Sequence, residues 1–161
     1  MKIIFALFSR YDQADEAMKE LLHKKFREEE MNAVAQDYVV KDRMKIKTGG
    51  ANVSVTEIPP GLDRLMGEQQ AVTVNDVGQV FAAGDLATEF TATGNIAGRA
   101  GEGLGPALEH FNIPAETSAA YVDGIKSGGV LFWIRTEDER AAEASSILDS
   151  HKGGNMASIP H

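Results

Sequence analysis

The sequence predicts an α+β domain with a ferredoxin-like split β-α-β sheet, and two observations support this prediction. Each end of the chain, residues 1–42 and residues 128–160, has the pattern of an apolar strand, an amphipathic helix and a second strand. The chain is 161 residues long, which suits a single domain with a long insertion, residues 43–127, between two such halves. Paired β-α-β units bury their helices on one face of an antiparallel sheet.

The first half begins with residues 3–8, a continuous apolar run that is typical of a strand covered on both faces. Ser9 is predicted to cap the following helix, with Asp12 at the capping-box spacing. Residues 33–40 are rich in Val and Tyr and are predicted to form the second strand. The buried stripe of the helix is predicted on Ala14, Ala17, Met18, Leu21 and Leu22.

The second half repeats this pattern. Residues 130–134 are predicted to form a strand, Thr136 and Glu139 a capping box, and residues 155–159 a closing strand. The two halves align without a gap at a constant offset of 127 residues. This alignment matches Phe5 with Phe132, Leu7 with Ile134, Ser9 with Thr136, Ala14 with Ala141, Ala17 with Ala144 and Leu21 with Leu148.

The insertion contains weaker signals. Residues 44–55 alternate around two glycines and are predicted to form a hairpin that extends the second strand. Residues 62–66 are expected to make a helical turn and residues 71–74 an extended segment. Residues 78–105 are rich in Gly and Ala, so they form either a loop or helices whose backbones approach closely. Pro114 is placed in the first turn of a helix that continues to the Gly128-Gly129 stop.

The same Gly/Ala-rich region supplies the candidate site. Its phenylalanines lie near glycines and are predicted to line an apolar ligand pocket, while the spacing of Gly94 and Gly98 suits close packing of two helices. This packing or ligand-pocket segment comprises Phe81, Gly84, Phe90, Gly94, Gly98, Gly101 and Phe111. The glycines at 101, 103 and 105 lack the strand and the Gly-Lys-Ser/Thr context of a phosphate-binding loop.

The charge and residue composition exclude several classes of function. The chain carries 24 acidic and 16 basic residues, a net charge of -8, which disfavours binding to nucleic acid or to anionic membranes. With 0 Cys it has neither disulfides nor a cysteine nucleophile, which favours a cytoplasmic location. The basic residues around Lys25 and Arg27 are predicted to be solvated surface. The acidic runs at 28–30 and 137–139 are predicted to have no cation-binding or acid–base role, and the second run lies in the first turn of a helix, where acidic side chains interact favourably with the helix dipole.

The sequence contains no recognisable catalytic, cofactor-binding or metal-binding set. The four histidines, His23, His110, His151 and His161, are too far apart in sequence to form a metal pair on one helix turn. His151 follows the last helix, where a cation interacts favourably with the helix dipole. We therefore expect no cofactor and no enzymatic activity.

Three segments occur in one order along the chain: VGQVFAAG at residues 77–84, the GLG at residues 103–105 leading into NIPAE at residues 112–116, and the run from Tyr121 to the GGVL at residues 128–131. In this order they resemble the bacterial general stress protein family, also called heat-induced or low-temperature-induced stress proteins. The resemblance implies a stress-associated protein with no established reaction and no catalytic residues to transfer. The polar residues Asp85, Glu89, Asn95, Arg99 and Glu102 interrupt a middle segment that is more apolar in that family.

The expected function is thus a soluble, non-enzymatic, stress-associated protein that acts as a homo-oligomer, because exposed faces or edges of such sheets are commonly covered by a second copy. A small-molecule-binding regulatory module of ferredoxin-like type is the alternative. An enzyme of the dimeric α+β-barrel type, with a buried cavity, and a membrane-surface protein are less favoured possibilities.

Overall fold

A computed structural model describes residues 1–41, 61–67, 71–74, 77–84, 104–110 and 112–160. The strands are β1 (Lys2–Phe8), β2 (Met31–Gln36), β3 (Ala71–Val74), β4 (Gly78–Ala83), β5 (Val130–Thr136) and β6 (Gly154–Pro160). The helices are α1 (Tyr11–His23), α2 (Leu62–Gly67), α3 (Leu104–His110), α4 (Ala115–Lys126) and α5 (Ala141–Ser150). Short 3-10 turns lie at Glu28–Glu30 and Asp138–Arg140.

The six strands form one sheet in the order β3-β4-β2-β5-β1-β6, and every neighbouring pair is antiparallel. The two predicted first strands are direct neighbours, since β1 pairs with β5 from Lys2 opposite Thr136 to Phe8 opposite Val130. The prediction that the two ends of the chain share a sheet is therefore confirmed, and so is the α+β class.

One face of the sheet packs against α1, α2 and α5. The predicted stripe of α1 is buried there, with Leu22 partly buried at its margin. Leu62 and Met66 of α2 and Leu148 of α5 belong to the same apolar cluster. This cluster is the larger of the two cores, and it joins the helices of both chain ends.

The opposite face packs against α3 and α4, and we call it the aromatic face. Phe5 stacks on Trp133 with ring centroids 5.2 Å apart and on Tyr121 of α4 at 6.0 Å. All three rings are fully buried. The expectation of helices on one face is correct for α1 and α5 but wrong for the whole sheet, because α3 and α4 of the intervening region cover the other side.

The gapless offset of 127 is correct for the helices and wrong for the strands. Residues 11–23 of α1 correspond to residues 138–150, the 3-10 turn plus α5, at that offset. The strands β1 and β5 correspond at an offset of 128, because Phe5 shares the aromatic face with Trp133 while Phe132 lies in the opposite core. Shifting a strand by one residue exchanges its two faces.

The second predicted strand is too long. β2 ends at Gln36, and residues 37–41 are helical. The β-branched Val39 and Val40 suggested a strand, but Val40 is buried in the larger core, and an ion pair joins Lys41 to Asp37 at 3.1 Å, one helical turn earlier. Packing and this i,i+4 pair outweigh the local preference.

Both predicted capping boxes are wrong. The residue before α1 is Arg10, and Ser9 Oγ lies 3.2 Å from Gln13 Oε1 instead of capping a backbone amide. Thr136 is the buried last residue of β5, and α5 is preceded by Arg140. In both halves the chain continues in extended conformation past the expected cap.

The insertion is partly described. The helix at Leu62–Gly67 and the extended segment at Ala71–Val74 are confirmed. Gly78–Ala83 forms β4, so the start of the Gly/Ala-rich region is neither loop nor helix. Pro114 precedes α4 as its N-cap residue instead of lying in its first turn. The hairpin predicted at 44–55 and the segment 85–103 lie outside the described residues.

Close packing explains one glycine of α4. A Cβ on Gly124 would overlap the side chain of Leu7 in β1. The helix therefore approaches the sheet at a distance that only glycine permits. This contact holds α4 directly over β1.

Candidate functional site

The candidate segment predicted from the sequence is only partly within the described residues. Phe81 of β4 is half-buried and packs against the larger core. Gly84 follows β4 with φ +99°, and a Cβ there would overlap Asn32. For these two residues the structure thus gives packing contacts. The remaining members, Phe90, Gly94, Gly98, Gly101 and Phe111, lie outside the described residues.

The two acidic runs lie at the same end of the sheet, next to basic side chains. Arg135 of β5 donates to Glu30 through two parallel hydrogen bonds, Nε to Oε2 at 2.6 Å and Nη2 to Oε1 at 3.0 Å. The Glu30 side chain is only 17% exposed. Glu30 is therefore paired across the sheet, because the start of β2 lies beside the end of β5.

A cleft of about 280 Å³ opens beside this ion pair, between the end of α1 and the start of α5. We call it the cationic cleft. The side chains that define it are Lys25, Phe26, Arg27, Glu30, Arg135 and Arg140, together with Glu137 at the rim. The sequence predicts Lys25 and Arg27 as plain solvated surface, whereas the fold places them beside two further arginines from the other end of the chain.

Arg140 is held in place from several sides. Its guanidinium carbon lies 3.8 Å from the ring centroid of Phe26, whose side chain is buried. Its Nη2 donates to the carbonyl oxygen of Lys24 at 2.8 Å, and Nε and Nη2 both contact Glu143 Oε1. Because an arginine in a cation–π contact with several hydrogen bonds has few alternative rotamers, this guanidinium is oriented before any ligand arrives.

The backbone of Lys25 is held in a left-handed conformation. The residue has φ +72°, and it ends α1 in a Schellman motif, in which Phe26 N–H donates to Leu21 O and Lys25 N–H to Leu22 O, each at 3.0 Å. Glycine is the usual residue at this position because a side chain there costs energy. Lys25 is one of the residues that line the cleft.

A second cleft of about 270 Å³ lies at the opposite ends of the same two helices. We call it the acidic cleft. It is lined by Asp12, Gln13, Glu16, Ser150, His151 and Lys152. Lys152 has φ +71° and ends α5 in the same motif as Lys25 ends α1. Two similar clefts with similar volumes therefore carry opposite excesses of charge.

The two histidines whose side chains the structure describes, His23 and His151, do not form a metal set. His151 Nε2 lies 2.9 Å from Glu20 Oε1 and links α5 to α1, and His23 ends α1 at the surface. In the described ranges no group of three His, Asp or Glu side chains is placed to hold a metal ion. Nor does any helix in these ranges have the length and apolar character needed to cross a bilayer.

Comparison with known proteins adds no family. No protein-family model, no curated protein and no solved structure matches the chain. The candidate site therefore depends on the geometry of this molecule alone. The one signal in the sequence that points to the cationic cleft is the pairing of the chain ends in one sheet, which brings residues around 30 next to residues around 135.

Proposed function

We propose that this chain is a non-enzymatic cytoplasmic protein with a ferredoxin-like domain that acts as a homo-oligomer, in a stress-associated role as its resemblance implies. The strand order β2-β5-β1-β6, with α1 and α5 on one face, supports the ferredoxin-like assignment. In that arrangement the first strand of each β-α-β unit lies in the middle and the second strand lies outside.

The open edge of β6 is the observation that carries the proposal of self-association. Within the described part of the chain, β6 has a strand neighbour on one side only, β1. The strand, GNMASIP, contains no charged residue. Natural sheets usually protect such an edge with lysines or other charges, because its unpaired backbone groups can pair with another chain. The edge lacks charges of this kind. Its pairing with β1 is irregular between Phe5 and Leu7, and Pro160 has no N–H to donate, so the backbone groups of residues 156–159 are the part suited to pairing with a second copy.

The packing of the two sheet faces makes them unsuitable as the interface between two copies of the chain. Helices cover both faces, and Phe5, Trp133 and Tyr121 fill the aromatic face. A partner is therefore not needed to cover exposed sheet surface. The same packing argues against the dimeric barrel type of enzyme, whose cavity lies over the face that α4 occupies here. The open edge of β6 is therefore the surface at which we propose that a second copy binds.

The expected contact is isologous, with β6 of one protomer antiparallel to β6 of its partner about a twofold axis. Residues 156–159 offer the free part of this edge, because the carbonyl oxygen of Asn155 already accepts a hydrogen bond from the Tyr121 hydroxyl at 2.5 Å. Such pairing would join two six-stranded sheets into one continuous sheet.

The test is the variant Ser158→Lys, which adds a long cationic side chain at an exposed position of the edge. Two such lysines approach each other across the twofold axis, and like charges on paired strands cost on the order of 1 kcal/mol, or roughly fivefold in Kd. Native mass spectrometry and light scattering over a concentration series measure the subunit number. The matched control is Ser146→Lys, the same change at an exposed position of α5.

The proposal predicts a multimeric mass for the unmodified protein and for Ser146→Lys, and dissociation of Ser158→Lys. A strictly monomeric protein at high concentration would contradict self-association. A multimer that Ser158→Lys leaves intact would place the interface somewhere other than β6.

A small-molecule-binding regulatory module is the second candidate function, and one observation favours it. The cationic cleft combines a preset arginine with further basic side chains in an otherwise acidic chain. A thermal shift with one class of metabolite, and with no other class, is the expected behaviour of such a module.

A further inference from the structure

We propose that the cationic cleft binds a small anion that carries a phosphate group. The inference goes beyond self-association, since all residues of the cleft belong to one protomer. It depends on the charges that line the cleft, on the orientation of its donors, and on the contrast with the acidic cleft.

Four basic side chains gather at the lining of the cleft. Lys25, Arg27, Arg135 and Arg140 line it together with the carboxylates of Glu30 and Glu137. Two further carboxylates, Glu29 and Glu143, pair with Arg27 and Arg140 from outside the lining, so Lys25 is the cation with no ion pair in the described ranges. In the acidic cleft Asp12 and Glu16 face Lys152 and His151. The chain as a whole has a net charge of -8, so its overall field repels anions. Among the described residues, we expect an anion to be attracted where these basic side chains meet.

Arg140 has hydrogen-bond donors that remain available to a ligand. The contacts of Arg140 use its Nε and Nη2 atoms, and within the described ranges the two hydrogens on Nη1 have no protein acceptor. An arginine has five N–H donors in a planar fork, which matches two oxygens of a phosphate. Lys25 adds a compact cation on an exposed side chain at the same cleft.

An incoming anion competes with the ion pairs already present at the cleft. Arg27 pairs with Glu29 at 3.5 Å, and both side chains are 72% exposed. Pairs of that kind contribute about 0–1 kcal/mol, so an anion with two charges can displace Glu29 at little cost. The Arg135–Glu30 pair is less exposed and doubly hydrogen-bonded, so it remains as the wall of the cleft.

The size and surface of the cleft define the ligand class. A volume of about 280 Å³ lies at the small end of ligand sites. The Phe26 ring is covered by the Arg140 guanidinium, so a ligand meets charged N–H groups instead of an aromatic face. Inorganic phosphate, pyrophosphate or a small phosphate ester fits this chemistry better than a large apolar molecule.

The test is a titration with inorganic pyrophosphate, followed by two-dimensional NMR of backbone amides and arginine Nε–H groups. Sodium chloride keeps the ionic strength constant, because simple screening would otherwise shift exposed groups. We expect saturable shifts at Lys25, Arg27 and Arg140, with no comparable response at His151 and Lys152. A second titration with a sugar monophosphate asks whether the site accepts an ester as well as the free inorganic anion.

The matched variants are Lys25→Gly and Lys152→Gly. Both positions have positive φ, so glycine is accepted at each without loss of the fold. We expect Lys25→Gly to weaken pyrophosphate binding about fivefold or more, since it removes one of the converging charges, and Lys152→Gly to bind as the unmodified protein does. Shifts that do not saturate, an equal response at the acidic cleft, or unchanged binding in Lys25→Gly would each overturn the proposal.

Discussion

The two β-α-β units at the ends of the chain have similar first strands and helices but differ in the connection from the helix to the second strand. Residues 24–30 connect α1 to β2 and contain Phe26, Arg27 and a 3-10 turn, whereas only residues 151–153 connect α5 to β6. β2 then lies inside the sheet, where β4 adds to it, and it is almost completely buried. β6 stays at the edge and is largely exposed.

This difference in connection length explains why two units with the same order of strands and helix have different surfaces. The longer connection of the first unit places basic side chains beside β5 and forms the cationic cleft. The shorter connection of the second unit leaves only His151 and Lys152 beside the acidic start of α1. The proposed ligand site therefore lies between the two units, with Lys25 and Arg27 from the first and two arginines from the second, whereas the proposed self-association edge belongs to the second unit alone.

The largest expected effect comes from the contact that joins the two units across the aromatic face. Truncating a buried aromatic side chain costs about 3–5 kcal/mol, so Trp133→Ala and Phe5→Ala are each expected to lower the free energy of unfolding by that amount. Urea denaturation measures it. A double-mutant cycle is then expected to give a coupling of about 0.5–1.5 kcal/mol between these two stacked rings.

The matched cycle pairs Phe5 with Phe132, the residue that the gapless alignment selects. These side chains lie on opposite faces of the sheet, so their coupling should be clearly smaller. A larger coupling for Phe5 with Phe132 than with Trp133 would contradict the offset of 128 between the strands and favour the offset of 127.

A second prediction concerns a buried carboxylate that only the first unit has. Asp15 on α1 is buried, accepts a hydrogen bond from the Leu62 amide at 3.0 Å and pairs with Lys19. Asp15→Ala leaves that amide without its acceptor, and we expect a loss of about 1–3 kcal/mol in the free energy of unfolding. Chemical denaturation followed by circular dichroism measures the change.

The control for Asp15 is its counterpart in the second unit, Ala142, which is exposed on α5. Ala142→Ser is expected to change stability by less than about 0.5 kcal/mol. If Asp15→Ala were as mild as this control, the attachment of α2 to α1 through Asp15 would contribute nothing to the stability of the fold.

The amino-acid sequence alone predicts much of this comparison, and physical reasons explain what it misses. The apolar runs and helical stripes are local signals, so they identify both β-α units. They do not reveal the one-residue slip between strands, because β1 and β5 are buried on both faces and have no alternation that would mark a register. The chain connections differ by one residue, Ser9 and Arg10 against Glu137 alone.

The cationic cleft escapes sequence-based prediction for a different reason. Glu30 and Arg135 are 105 residues apart in the chain, and their pairing depends on β2 and β5 being antiparallel neighbours. Charged residues at a strand end look the same whether they are solvated or paired across a sheet. Local patterns therefore identify the elements, while the site requires their arrangement in space.

A third prediction uses Tyr121, which contacts both units. Its ring stacks on Phe5, and its hydroxyl donates to the Asn155 carbonyl oxygen. Tyr121→Phe removes that hydrogen bond, and we expect a loss of about 1 kcal/mol at neutral pH. Thermal unfolding measures this loss, and Tyr38→Phe, at an exposed tyrosine, is the control and should have little effect.

Tyr121 is also expected to make the stability of the fold decrease at alkaline pH. Burial raises the pKa of the Tyr121 phenol above its ordinary value of 10.0. Above that pH the unfolded chain releases the proton while the folded protein retains it, so stability is lost as the pH rises further. Tyr121→Phe is expected to reduce the alkaline loss. An identical alkaline profile in the variant would show that other groups cause it.

The smallest expected effect tests whether the two helix ends are equivalent. Lys25 and Lys152 have nearly equal φ angles, +72° and +71°, in the same motif. Replacing either by glycine relieves the left-handed side chain, and we expect each to raise the free energy of unfolding by up to about 1 kcal/mol. Equal increases in the free energy of unfolding for Lys25→Gly and Lys152→Gly, measured by urea denaturation, would mean that the left-handed backbone costs the same at both helix ends. A difference in phosphate binding between these variants could then come only from the charges around each lysine. A loss of stability in Lys25→Gly alone would instead mean that its side chain stabilises the end of α1, and the two helix ends would not be equivalent.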